Sequence, residues 1–110
     1  MAEFVRGEIV VVPFPFSDLT QVKKRPALVL AAPSRSDILL CQITSKDIGD
    51  EFAVEINDAD FATGKLSQSC RVRPNKIFTA DKGIILYRAG TLKADKMRLV
   101  TDAVVSILTK

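Results

Sequence analysis

Histidine and tryptophan are missing from this chain altogether, cysteine occurs twice, tyrosine once, and no apolar run approaches the roughly 18 residues that a membrane span requires. Each shortage removes a class of function. Without imidazole there are no histidine-based acid–base pairs, and most catalytic triads and catalytic zinc sites are excluded with them. Cys41 and Cys70 stand in apolar, strand-like sequence without metal-ligand spacing. They read as reduced cysteines used as small core residues, and neither a metal nor another cofactor is expected. The N-terminus, MAEFVRGE, carries acidic residues and no apolar targeting segment, so the expectation is a cytoplasmic protein with no membrane partner.

What remains is ordinary globular composition. Hydrophobic residues make up 47 % of 110 positions and charged residues 26 %, which suits one domain spanning 1–110 with a single core. Sixteen basic against thirteen acidic residues leave a net charge of +3, an excess that permits a polyanionic partner without demanding one. The basic residues gather in two places. Lys23, Lys24 and Arg25 form one cluster, and Arg71, Arg73, Lys76 and Lys82 form another.

The order of elements follows from periodicity and punctuation. Val5–Val12 reads as the first strand, ended by the Pro13-Phe14-Pro15-Phe16 alternation, with Phe14 and Phe16 over one end of the core. Ser17–Lys24 follows as an eight-residue polar loop, long enough to be a candidate for function. Ala27–Ala32 and Asp37–Ile43 flank Pro33-Ser34-Arg35-Ser36 and read as a β-hairpin. With those four residues as the loop, paired positions sum to 69, which sets Arg25 opposite Thr44. Both faces of this hairpin are apolar, as in a small barrel backed by a helix. Polar residues return at Gln42, Thr44, Ser45 and Lys46, which marks the mouth of the barrel.

Further on, Phe52–Ile56 reads as a strand and Asn57–Lys65 as a polar turn region with Gly64 at its tight point. Leu66–Val72 and Lys76–Thr79 read as short strands separated by Pro74, then a turn at Asp81-Lys82-Gly83 and an apolar Ile84–Tyr87 suited to a strand or a short helical turn. From Lys93 to Leu108 the residues Met97, Val100, Val104, Ile107 and Leu108 recur at helical spacing and predict a C-terminal helix packed by one apolar stripe.

Several strings carry a resemblance. Gly7-Glu8-Ile9-Val10-Val11-Val12 with Phe14, then Arg25-Pro26-Ala27-Leu28-Val29-Leu30, Ile43-Thr44-Ser45, Lys76-Ile77-Phe78-Thr79 with Asp81-Lys82, and Gly90-Thr91-Leu92 occur in this order. Together they resemble the PemK/MazF toxins of bacterial type II toxin–antitoxin systems over nearly the whole chain. The resemblance implies a mainly β fold, an SH3-like barrel of five to seven short strands with a C-terminal α-helix. It also implies a homodimer, and a sequence-specific, metal-independent endoribonuclease that cleaves single-stranded mRNA and is neutralised by a cognate antitoxin. It assigns Arg25 and Thr44 to the catalytic centre, the same two residues that the hairpin arithmetic sets opposite each other.

A nuclease without a metal must use the substrate's own 2′-hydroxyl as nucleophile, so RNA is cut and DNA is not. A guanidinium beside a hydroxyl suits the charge that gathers on the phosphoryl oxygens. Free arginine is a poor general base, so Arg25 is assigned to charge stabilisation first. The expected RNA contacts are Lys23, Lys24, Gln42, Ser45, Arg73, Asn75 and Lys76. Asn75 stands where some relatives are acidic, which shifts weight to Arg73, and the sequence leaves open which of the two faces the groove. With so few rings to spare for stacking, base reading is expected to lean on loop and backbone groups. Two rival readings share the fold: a gyrase-poisoning toxin, which typically needs a C-terminal tryptophan that this chain lacks, and an inactive member that binds RNA or antitoxin without cutting.

Overall fold

β-branched and aliphatic residues dominate the first half of the chain, and in the computed structural model, which describes residues 4–15, 22–46, 49, 51–66 and 68–110, they form strands. The strands are β1 (Glu8–Pro15), β2 (Val22–Ala31), β3 (Asp37–Thr44), β4 (Val54–Ile56), β5 (Phe61–Gly64), β6 (Cys70–Asp81) and β7 (Tyr87–Leu92), followed by helix α1 (Ala94–Leu108). All pairings are antiparallel, in the order β4-β6-β3-β2-β1-β7-β5. The sheet curls into a half-barrel, and α1 packs on one of its faces through Met97 and Val100, with Val104 partly buried beside them. No helix among the described residues is long and apolar enough to cross a membrane.

The central strands are apolar on both faces, as the sequence predicts, and both faces are covered. Ile9, Leu28, Cys41, Ile43 and Val72 join the helix in one core cluster. Val10, Val12, Ala27, Val29 and Leu40 form a second cluster on the opposite face, closed by Phe4, Phe78 and Ile85. Burial of each large aliphatic side chain contributes on the order of 1.5–3 kcal/mol. Because a one-residue slip would exchange the two faces, the register of β2 against β3 is strongly specified.

The structure corrects several boundaries. β1 runs through Pro13 and Pro15, which align with Lys24 and Val22. Its pairing with β7 stops at Val11, so from Val12 onward β1 has one neighbour, and on such a stretch a proline is tolerated. Lys23 and Lys24 are strand residues rather than loop residues. Phe16 and residues 17–21 lie outside the described residues, as does the side chain of Phe14. β4 is shorter than expected, and the region after it is more than a turn. A 3-10 turn, Asp58–Asp60, is held by an Asn57 capping box, and β5 follows it. Pro74 does not split β6, which continues from Cys70 to Asp81 around a bulge. Ile84 closes a 3-10 turn, and Gly90 and Thr91 belong to β7. Leu108 is 71 % exposed and lies off the buried stripe of the helix.

The helix start is tied to the Asn57 turn rather than capped by its own side chain. Lys93 donates its backbone N–H to Asp60 O at 2.8 Å, and Lys96 Nζ reaches Asp60 Oδ1 at 3.5 Å and Glu55 O at 3.1 Å.

Gly64 and Gly49 both have positive φ, 71° and 68°, but only at Gly64 would a Cβ strike backbone, that of Ala89 and Gly90 on β7. The expected costs differ accordingly. Gly49→Ala should lose about 1 kcal/mol, the left-handed penalty alone, and Gly64→Ala clearly more, roughly 3 kcal/mol with the clash added. Urea unfolding of the two variants measures the difference, and equal losses would contradict the β5–β7 packing.

Candidate functional site

β2 keeps its charge at the end remote from the hairpin turn. Alternation along the strand puts Lys23 and Arg25 on the face of Ala27 and Val29, and Lys24 on the helix face with Pro26 and Leu28. β3 alternates likewise, with Gln42 and Thr44 on the face of Ile38 and Leu40 and Ile43 on the helix face. The register joins the strands as Ala27–Gln42, Leu28–Cys41 and Val29–Leu40. These positions sum to 69, as the hairpin arithmetic has it. Nearer the turn a bulge at Leu30 shifts the pairing to Ala31–Leu39. Two residues beyond the Ala27–Gln42 pair, on the same face of adjacent strands, come Arg25 and Thr44.

Both side chains are partly withdrawn from water. Arg25 is half-buried, with its Nε enclosed, and is flanked on β1 by the fully buried Val12. Thr44 is 9 % exposed, and its Oγ1 accepts a hydrogen bond from Lys46 N at 3.1 Å. That bond occupies a lone pair of the hydroxyl and leaves its O–H free to donate elsewhere. Electrostatic interactions at such a half-desolvated pair are stronger than in bulk water.

Lys24 and Ser45 do not join this face. They line a cavity of about 260 Å³ at the mouth of the half-barrel, with Arg25, Pro26, Ile43, Gln68, Cys70 and Tyr87 among its other walls. Arg25 thus borders both surfaces.

The second basic cluster lies where β6 bulges. β3 pairs with β6 at Cys41–Ile77 and again at Ile43–Val72, so residues 73–76 face Gln42 alone. Pro74 is fully buried and roots the bulge, and Cys41 Sγ donates to Arg73 O at 2.8 Å. Arg73 is half-buried, whereas Asn75 and Lys76 are exposed at the bulge. Arg71, ahead of the bulge, pairs directly with Thr44. The sequence places it in the basic cluster but not in the site, because its position depends on the length of the bulge. The described residues contain no group of three or more histidine, cysteine, aspartate or glutamate side chains placed to hold a metal ion.

This arrangement sits within a recognised sequence pattern. Residues 5–108 match the family profile of the PemK-like, MazF-like toxins of type II toxin–antitoxin systems. The chain belongs to that family. Solved toxin structures share its fold at low identity. MazF of Deinococcus radiodurans is 22 % identical, with a TM-score of 0.74 and full coverage of both chains. An endoribonuclease from a mycobacterial species, solved with its cognate antitoxin, is 17 % identical with a TM-score of 0.74, covering 99 % of this chain and 96 % of its own. The Mycobacterium tuberculosis toxin MazF-mt6 is 18 % identical with a TM-score of 0.73, covering 93 % and 96 %. Among curated protein sequences none matches.

Both cysteines are buried free thiols. Burial pushes the Cys41 thiol up from its usual 9.0 to about 12. Burial also raises Cys70, and the neighbouring Arg71 charge offsets part of that rise. A folded-state value above the unfolded one means that stability contributed by the Cys41 thiol is complete below about pH 9 and is lost as pH climbs through about 12. Unfolding free energies from urea titrations across that window should fall more steeply for the wild type than for Cys41→Ala, by up to roughly 4 kcal/mol over the window. Parallel slopes would mean that the thiol is not sealed behind the bulge.

Proposed function

We propose that this toxin-family protein is a metal-independent endoribonuclease that cuts single-stranded mRNA, blocks translation, works as a homodimer and is silenced by a cognate antitoxin. The observation that carries the reading is the convergence of Arg25 and Thr44 on one face of β2 and β3, in a chain of this family. A net charge of +3 and the exposed Lys23, Asn75 and Lys76 are consistent with an anionic polymer as partner. Solved relatives from mycobacteria and Deinococcus radiodurans occur in complex with antitoxins. On this reading the antitoxin is an acidic segment that competes with RNA for the basic face.

In this mechanism the 2′-oxygen of the nucleotide before the cut attacks phosphorus, the bond from phosphorus to the 5′-oxygen breaks, and a 2′,3′-cyclic phosphate remains. The proton lost from the 2′-hydroxyl is matched by the one gained on the 5′-oxygen leaving group. The Arg25 guanidinium stabilises the charge on the phosphoryl oxygens, and the Thr44 O–H, its oxygen already engaged by Lys46 N, donates to one of them. Half-burial of Arg25 restricts its motion and lowers the reorganisation needed as charge develops.

Incubation of the protein with a long single-stranded RNA and its DNA counterpart in excess EDTA tests this. The expected result is discrete cuts in RNA alone, leaving cyclic-phosphate and 5′-hydroxyl ends. Arg25→Ala should slow cleavage by at least about 10²-fold, and Thr44→Val by a smaller factor of about 10. RNA left intact by folded, dimeric protein would overturn the proposal.

A further inference from the structure

A row of residues on one face crosses the sheet at the level of Arg25, joined by direct pairing except between Arg25 and Thr44, which lie two residues beyond the last β2–β3 pair, Ala27–Gln42. Val12 pairs with Arg25 on one side, and past Thr44 the ladder continues as Thr44–Arg71 and Arg71–Glu55, on β3, β6 and β4. Directly paired residues point to the same face, and the intervening positions Cys70, Val72 and Ile43 are buried in the helix-side core. Arg71 and Glu55 therefore present their side chains on the face of Arg25 and Thr44. Neighbouring strands lie about 4.8 Å apart, so Arg71 stands one strand beyond Thr44.

We propose that Arg71 is a second phosphate-binding subsite, which takes the phosphodiester adjacent to the one cleaved, and that Glu55 is its intramolecular competitor. The inference rests on the ribonuclease reading above. Arg71 Nη2 lies 3.8 Å from Glu55 Oε2, with the arginine side chain 29 % exposed and the glutamate 64 %. An ion pair this open contributes little to stability, which argues against a purely structural role. A phosphodiester offers the guanidinium two oxygens in the same planar fork as a carboxylate, and forms the shorter, paired contacts that a 3.8 Å approach lacks. RNA lying across the strands would meet Arg25, Thr44 and Arg71 in turn and displace the Glu55 carboxylate. Arg73, held at the bulge by the bond from Cys41 to its carbonyl, lies outside this row.

The test uses a 2′-O-methyl RNA oligonucleotide, which lacks the nucleophile, spanning a site that the wild-type protein cuts. Binding is followed by fluorescence anisotropy over a series of salt concentrations for wild type, Arg71→Ala, Glu55→Gln and the double variant. Arg71→Ala should weaken binding about 5- to 10-fold and reduce the salt slope by about 0.7, one phosphate contact on a single strand. Glu55→Gln should tighten binding about 3-fold, and only while Arg71 is present, since the effect acts through that residue. Melting temperatures should stay within a degree or two of wild type, which separates loss of contact from loss of fold. Wild-type affinity and slope in Arg71→Ala, with cleavage still dependent on Arg25, would overturn the subsite and leave the ribonuclease reading standing. Absence of any RNA cleavage by the wild type would overturn both.

Discussion

Burial of β2 and β3 on both faces at once constrains everything else. Leu28 and Cys41 must meet the helix side while Ala27, Val29 and Leu40 must meet Phe4, Phe78 and Ile85. A one-residue slip would exchange the two clusters, so the strands are held against it. Their polar ends inherit that lock. Arg25 and Thr44 sit two residues past the last β2–β3 pair, Ala27 and Gln42, and the buried aliphatic side chains of the two strands fix their relative placement.

β6 adds a different kind of control. Its C-terminal half follows β3 from Asp37 to Cys41 in regular pairing, and its first residues pair with Ile43 and Thr44. The residues between have no β3 partners except Gln42, and they are pinned by the buried ring of Pro74 and by Cys41 Sγ. Bulges commonly re-aim side chains at functional edges. Here the bulge absorbs three extra residues, raises Asn75 and Lys76 to the surface, and lets Arg71 come into line with Thr44. The same device buries Cys41, whose raised pKa follows from its seclusion.

Electrostatically the face is mixed rather than uniformly basic. Arg25 and Thr44 occupy its half-buried centre, Lys23 and the bulge residues its exposed margin, and the Arg71–Glu55 pair its far side. Exposed cations supply a field that salt screens, whereas a half-desolvated guanidinium acts strongly only at short range. Lys24 and Ser45 line a cavity whose wall Arg25 shares, so Arg25 links that cavity to the face that carries Thr44.

Sequence periodicity by itself determined a mainly β chain with a C-terminal helix, the hairpin around residues 33–36 and its apolar double face, while the sum of 69 holds over Ala27–Val29 and gives way to 70 at the bulge beside the turn. Such features are local or depend on one short turn, and composition encodes them directly. Tertiary structure decided the rest. Pro13 and Pro15 stay in β1 because β7 has already ended, β5 forms because β7 offers it an edge, and β6 survives Pro74 because a bulge accommodates the missing N–H. Arg71 reaches its place by a pairing that skips three residues, and a register that depends on a non-local bulge leaves no periodic trace in the sequence.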